Sequence, residues 1–239
     1  RINESDLVQV VSLRRGARRV EFDTTVEWRE SHKLLKVEFA VNHRSEDALH
    51  EIQFGHLRRP THRSRPFDQD RFEVSNHRWT AIAEEGRGFA VLNDCKYGVS
   101  VLGSTIGLTL LKSALAPDMR ADKGTQRFTY AFFAWNGSLA DSGLVREGYE
   151  LNVPVATAAG GGGRRSLVSV SAPNVVLETV KAPEAGDEGA LVLRLYESMR
   201  TRTRCTVKVD LPVTRVLETD MRERALHELH VKGGAVTLE

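Results

Sequence analysis

In the stretch Ala90-Val91-Leu92-Asn93-Asp94-Cys95-Lys96-Tyr97-Gly98, an apolar run ends abruptly in an amide, a carboxylate, a lysine and a phenol. A buried strand that ends this way delivers polar groups to the end of a sheet, where sites are commonly built. An ordinary turn is the simpler reading, because Asn-Asp followed by Gly98 is good turn chemistry by itself. Further carboxylates stand close together in polar stretches, Asp68 with Asp70 and Asp118 with Asp122. Cleavage of a glycoside needs two carboxyl groups flanking the bond, but nothing in these spacings separates a catalytic pair from surface acids.

Two other clusters invite chemical readings. His56-Leu57-Arg58-Arg59-Pro60-Thr61-His62-Arg63-Ser64-Arg65-Pro66-Phe67 is strongly basic, with Arg71, His77, Arg78 and Trp79 following. An anion or nucleic-acid patch is conceivable, yet Asp68, Asp70 and Glu73 follow closely. Fork-shaped pairing of arginines with those acids, or with another domain, is the favoured reading. His227-Glu228-Leu229-His230 superficially resembles a zinc-protease motif, but its histidines are three apart and no third ligand is suggested. No GxSxG elbow or phosphate-binding P-loop occurs, and Gly160 to Gly163 lacks the following Lys-Ser/Thr.

The elements that must position these residues are strands. In Val20 to Trp28, the side chains of Val20, Phe22, Val26 and Trp28 share one face, and Glu21, Asp23 and Glu27 the other. Leu35, Val37, Phe39 and Val41 repeat the alternation after a polar turn, which predicts a β-hairpin. Further strands are predicted at His50 to Leu57, Thr80 to Ala83, Phe89 to Leu92, Ile106 to Leu111 and Gln126 to Phe133. Phe128, Tyr130 and Phe132 fall on one face of the last, a core stripe first and a sugar-stacking platform second. The intervening polar connections, Arg58 to Arg71 and Ser113 to Thr125, are long enough to be functional or held by neighbours. Helical periodicity is nearly absent.

The four glycines Gly160 to Gly163 mark a joint. The expected organisation is a first β domain over 1–155, a glycine-rich linker over 156–165 and a second domain over 166–239. Short strands at Leu167 to Ser171, Val175 to Val180, Ala190 to Tyr196, Cys205 to Leu211, Val213 to Leu217 and Ala235 to Leu238, bounded by Pro173, Pro183, Gly186, Gly189 and Pro212, predict a small β-sandwich.

Composition excludes several classes. A 41% hydrophobic and 28% charged chain of 239 residues is ordinary globular material. The near balance of 34 basic and 32 acidic residues, net +2, argues against a dedicated nucleic-acid binder. No apolar run approaches the roughly 18 residues that cross a bilayer, so no membrane partner is expected. Cys95 and Cys205 lie in different halves, which suggests two buried free thiols in a reducing compartment. Asn136-Gly137-Ser138 matches a glycosylation sequon, and the residues Arg1 to Asp6 do not carry the apolar segment of a signal peptide.

Several strings carry a family resemblance: Val26-Glu27-Trp28-Arg29-Glu30-Ser31-His32-Lys33, Arg59-Pro60-Thr61-His62-Arg63, Arg71-Phe72-Glu73-Val74 with His77-Arg78-Trp79, Leu92 to Gly98, Ala116-Pro117-Asp118 and Phe128-Thr129-Tyr130-Ala131. In this order they closely resemble the C-terminal β region of glycoside hydrolase family 38 α-mannosidases, the cytosolic and vacuolar branch above all. The resemblance continues through Leu191 to Tyr196 and Val213 to Arg224. Where the family usually reads Leu-Leu-Arg-Ser/Ala-Pro, this chain has Leu110-Leu111-Lys112-Ser113-Ala114, and Gln126 replaces a common histidine.

The resemblance implies an all-β chain: a β-supersandwich similar to galactose mutarotase, with residue 1 falling inside it and its opening strands upstream, followed by a smaller β-sandwich. It implies a retaining α-mannosidase whose zinc and aspartate nucleophile belong to an upstream catalytic domain, leaving no catalytic or metal residues in this stretch. Asn93, Asp94, Tyr97 and Lys112 become the candidates for a substrate-side or domain-facing edge, with Lys112 keeping a charge but losing the arginine fork. The implied partners are the upstream domain and mannose-containing glycans, in a cytoplasmic setting; homo-oligomer formation is left open. The competing reading is a free-standing carbohydrate-binding or assembly module using Trp28, Trp79 and Trp135, although alternation assigns Trp28 to the core.

Overall fold

A computed structural model describes residues 2–71, 73–163, 165–185 and 189–238. Phe72 of the Arg71-to-Val74 string, Arg164 of the glycine-rich linker and Gly186 as a strand boundary lie outside the described residues. The chain divides into two compact units, Arg1–Val155 and Ala156–Glu239.

The first unit contains β1 (Asp6–Ser12), β2 (Arg19–Trp28), β3 (Leu34–Ala40), β4 (Asp47–Ile52), β5 (Gly55–Pro60), β6 (Val74–Ser75), β7 (Trp79–Glu84), β8 (Arg87–Asn93), β9 (Gly98–Leu102), β10 (Thr105–Lys112) and β11 (Gly124–Asn136). A 3-10 helix spans Pro66–Arg71 and one α-helix, α1, spans Leu144–Asn152. Seven strands form one sheet in the order β1-β2-β11-β8-β7-β4-β5, and four form another in the order β3-β10-β9-β6. The architecture is all-β, as the alternation predicts.

The apolar faces of the two sheets share one core. Val26, Trp28, Ile82, Phe89, Val91, Phe128 and Tyr130 from the larger sheet meet Val99, Ile106, Leu108, Leu110 and Leu111 from the smaller. Phe39 of β3 reaches Phe22, Tyr130 and Phe132 with ring centroids 5.8, 6.2 and 5.6 Å apart. The Phe128-Tyr130-Phe132 stripe is therefore core packing. All three tryptophans are also interior, Trp28 at 2%, Trp79 at 1% and Trp135 at 5% exposure, so none offers a ring on which a sugar could stack.

The predicted hairpin between β2 and β3 does not form. Both edges of β2 are taken, one by β1 and the other by β11. A strand has only two hydrogen-bonding edges, so the chain crosses after Arg29 to Lys33 and β3 pairs with β10 in the facing sheet. The single strand expected from His50 to Leu57 is instead the hairpin of β4 and β5, turning at Phe54 with φ +56°. Helix α1 was not visible as a periodic pattern; it is short, and the Ser142 hydroxyl accepts the Leu144 N–H at 3.0 Å to start it.

The second unit is built from β12 (Val168–Val170), β13 (Val175–Lys181), β14 (Val192–Glu197), β15 (Cys205–Val209), β16 (Val216–Thr219), β17 (Ala225–Leu229) and β18 (Ala235–Leu238). Its sheets are β12-β15-β18, β13-β14 and β16-β17. Cys205, Val207 and Val236 are its most buried apolar groups. Glu223 ties its segments by accepting Lys181 Nζ and the Glu184 N–H, each at 2.7 Å.

One close approach in the larger sheet is decisive for packing. Gly88 of β8 lies opposite Trp135 of β11, and a Cβ added there would stand 2.2 Å from the indole Cζ2. Gly88→Ala is expected to displace Trp135 and to destabilise the chain by about 1–3 kcal/mol, read as a lower urea midpoint at unchanged slope; an unaltered midpoint contradicts this packing.

Candidate functional site

The Asn93–Gly98 stretch is the corner at which the chain leaves the seven-stranded sheet at the end of β8 and enters the four-stranded sheet at β9. A crossing of this kind strips backbone groups of their ladder partners, and side chains must replace them. Asn93 does so: fully buried, it donates from Nδ2 to the His77 carbonyl at 2.8 Å and accepts the Lys96 N–H on Oδ1 at 2.8 Å. Its own N–H donates to the Arg78 carbonyl at 2.9 Å, and its carbonyl accepts Asn152 Nδ2 at 3.0 Å. The last contact brings the C-terminal turn of α1 onto the corner.

Asp94 binds β11 in both directions. Its N–H donates to the Thr129 carbonyl at 3.1 Å, and its Oδ2 accepts the Thr129 N–H at 2.8 Å. Oδ1 is shielded from solvent and has no hydrogen-bond partner among the described residues. Cys95 beside it is exposed, contrary to the expectation that both thiols are buried, although Cys205 is. Partial burial of the Cys95 sulfur and the adjacent Asp94 carboxylate push its pKa up to about 11. Lys96 turns back over the Phe128 ring, 4.6 Å from its centroid. Tyr97 points outward at 55% exposure, its ring edge-on to His77 with centroids 6.3 Å apart.

The corner unites Asn93, Asp94 and Tyr97 in one stretch, and Lys112 stands on the neighbouring strand: Leu108 of β10 pairs with Val99 of β9, so Lys112 lies four residues beyond that pair, past the level of Gly98. Lys112 is exposed at the end of β10, where its N–H donates to Asp122 Oδ2 at 2.6 Å.

A buried polar layer supports the corner from below, and the sequence did not reveal it. Glu51 at 2% exposure receives Arg78 through its backbone N–H at 2.7 Å and its guanidinium at 2.9–3.2 Å. Burial opposes the Arg78 charge, but the Glu51 bonds outweigh it and raise the pKa. The same guanidinium lies 3.7 Å from the centre of the Tyr149 ring of α1. Next to this pair, Thr80 Oγ1 accepts Asn76 Nδ2 at 2.9 Å and meets His50 Nδ1 at 3.1 Å. The alternation of β4 and β7 shows which face is inward; it carries no sign that polar groups on that face find one another.

The other sequence candidates are accounted for individually. Asp68 is 3% exposed and takes the Arg65 N–H at 2.9 Å with the Arg65 guanidinium beyond, so it caps its own loop. His227 lies on β17 and faces Glu218 at 3.0 Å, with no third ligand near it. Among the described residues no group of three His, Cys, Asp or Glu side chains is placed to hold a metal ion.

Two measurements follow from the corner and its supporting layer. Asn93→Ala leaves the His77 carbonyl and the Lys96 N–H unpaired and is expected to cost about 2–4 kcal/mol of unfolding free energy; a loss below 0.5 kcal/mol, an order-of-magnitude floor for a buried pair, rejects this role. Burial, with Arg59 adding to it, lowers the His50 pKa from 6.5 to about 3. The unfolded chain thus takes up a proton that the folded chain refuses. Stability is present in full above about pH 6.5 and falls toward pH 3 at up to about 1.4 kcal/mol per unit. His50→Gln should flatten the slope between pH 6 and 5, as read by unfolding at each pH; an unchanged slope shows that His50 does not titrate this way.

Comparison with known proteins agrees with this architecture. Residues 1–120 match the Glycosyl hydrolases family 38 C-terminal domain, and residues 174–239 match the Glycosyl hydrolases family 38 C-terminal beta sandwich domain. Alpha-mannosidase 2C1 of Homo sapiens is 47% identical over 225 residues, covering 92% of this chain and 22% of that protein. Alpha-mannosidase G of Dictyostelium discoideum is 41% identical over 197 residues, 80% of this chain and 18% of that one. The chain thus spans about a fifth of the length of the curated relatives it matches. An alpha-mannosidase crystal structure from Enterococcus faecalis V583 superposes with a TM-score of 0.81 at 16% identity, covering 98% of this chain and 29% of that one, which shows the shared fold. With both units matched in order, the chain belongs to glycoside hydrolase family 38, as its C-terminal β region.

Proposed function

We propose that this chain is the non-catalytic C-terminal part of a retaining α-mannosidase, scaffolding an upstream zinc-dependent domain and walling its sugar pocket with the Asn93–Tyr97 corner. The observation that carries the reading is the asymmetry of the corner. Asn93 is buried and bonded on both amide atoms, while Tyr97 is exposed and Asp94 Oδ1 has no donor among the described residues. A rigid support under an outward ring suits packing against a neighbouring domain at the edge of its pocket. Lys112 serves as a separate cationic contact. The relatives' names support a mannosidic substrate, and the similarity to alpha-mannosidase 2C1 supports a cytoplasmic setting. No helix among the described residues is long and apolar enough to cross a membrane. The alternative of a stand-alone sugar-binding module loses its main support in the burial of all three tryptophans.

Asp94→Asn preserves the acceptor for the Thr129 N–H while removing the charge, and Tyr97→Ala removes only an exposed ring. In the full-length parent, each is expected to lower kcat/KM on an aryl α-mannoside by about tenfold, or about 1.4 kcal/mol, without shifting the unfolding midpoint. The 239-residue chain alone is expected to show no turnover with added zinc. Unchanged kinetics in both variants rejects the pocket-wall role, and zinc-dependent turnover by the isolated chain rejects the whole reading.

A further inference from the structure

The strands alone do not complete the hydrogen bonding of the corner. The register that sets Trp79 of β7 against Leu92 of β8 brings Arg78 opposite Asn93, where a regular ladder exchanges two backbone bonds. One is made, from the Asn93 N–H to the Arg78 carbonyl at 2.9 Å. The other is diverted, because the Arg78 N–H donates to Glu51 Oε2 at 2.7 Å. The carbonyl of the fully buried Asn93 is left to a donor from outside the sheet, and Asn152 Nδ2 of α1 supplies it at 3.0 Å. The same nitrogen donates to the Gly148 carbonyl at 2.9 Å, which fixes its direction.

Asn152 can serve in this way because α1 is seated independently of it. Leu144 and Val145 are buried. Gly148 lets the helix lie directly on β7, where a Cβ would stand 3.1 Å from Trp79 Cδ1 and 3.5 Å from Arg78 Cβ. Glu147 accepts Arg19 Nη1 of β2 at 2.6 Å, and the Tyr149 ring stacks on the Arg78 guanidinium at 3.7 Å. Asn152, the last residue of the helix, then reaches the corner. From residue 153 to residue 163 the chain is exposed and belongs to no strand or helix. A helix end beside such a tether frays readily, and the two Asn152 bonds oppose fraying at the residue that touches the corner.

We propose that Asn152 is a positioning residue for the Asn93–Tyr97 corner: acting through the Asn93 carbonyl, it holds in place the edge that the mannosidase reading sets at the sugar pocket. The consequence for turnover rests on that reading. The positioning itself is measurable in this chain alone.

Cys95 supplies the readout. It is exposed, and its pKa of about 11 depends first on burial of the sulfur and then on the neighbouring Asp94, both of which require a closed corner. Alkylation of the 239-residue chain by iodoacetamide is followed on the Cys95 peptide by mass spectrometry, as a function of pH and without denaturant. Asn152→Ala and Asn152→Leu both remove the donor, and Leu keeps much of the volume. Each is expected to move the rate profile to lower pH and to raise the rate near neutral pH about tenfold. Gly88→Ala, which strains the same sheet away from the corner, should leave the profile in place. An unmoved profile in both Asn152 variants overturns the proposal. An equal displacement in Gly88→Ala also overturns it, because the effect is then one of general stability. In the full-length parent, Asn152→Ala is expected to lower kcat/KM on an aryl α-mannoside about threefold. If the Cys95 profile moves while Asn152→Ala, Asp94→Asn and Tyr97→Ala all leave turnover unchanged, the positioning role stands and the pocket-wall role fails.

Discussion

The contact of Phe39 with Tyr130, Phe132 and Phe22 is the point at which two sheets become one domain. Aromatic pairs at these separations add specific geometry to the burial of apolar area. Phe39 comes from the smaller sheet, and its three partners from adjacent strands of the larger. The inner faces can close on that contact only if the chain passes from sheet to sheet between strands, and each passage is a corner that must be held without ladder hydrogen bonds. Asn93 and Asp94 hold one corner, and the Trp28–Ser113 bond steadies the region of another. The candidate functional edge is thus a by-product of how the sandwich closes: residues needed to fix the corner also present Tyr97 to the outside.

Much of this was legible in the residues. Alternation in Val20 to Trp28 and Gln126 to Phe133 identified strands and inward faces, because one face of an antiparallel sheet packs on the core. Pairing was less legible, for a physical reason. The β2–β3 connection looks local, but whether β2 has a free edge is decided by β1 and by β11, about a hundred residues later in the chain. Phe54 took φ +56° without a glycine, so the β4–β5 turn left little trace in the sequence.

The corner stood out in the sequence, but its hydrogen bonding did not. Asn93, Asp94 and Tyr97 were singled out by the abrupt change from apolar to polar, and the fold brings them to one corner. Lys112 was added on family resemblance and stands at the end of a different strand, β10. Glu51, His50, Thr80 and Asn76 beneath the corner gave no motif, since their partners come from different strands and only the register makes them neighbours. In the arginine-rich segment the expected pairing with neighbouring acids is met at Asp68, which Arg65 and Arg71 share, while Glu73 turns instead to Lys36 at 3.0 Å.

Cys95 lies at an exposed corner, yet its thiol is held at a pKa of about 11. About four units above neutral pH, only on the order of one molecule in ten thousand carries the thiolate, the form that attacks disulfides and peroxides. Burial first, and the Asp94 carboxylate beside it, therefore make the Cys95 sulfur slow to oxidise, so that an accessible thiol at the corner stays chemically quiet although a lysine follows it.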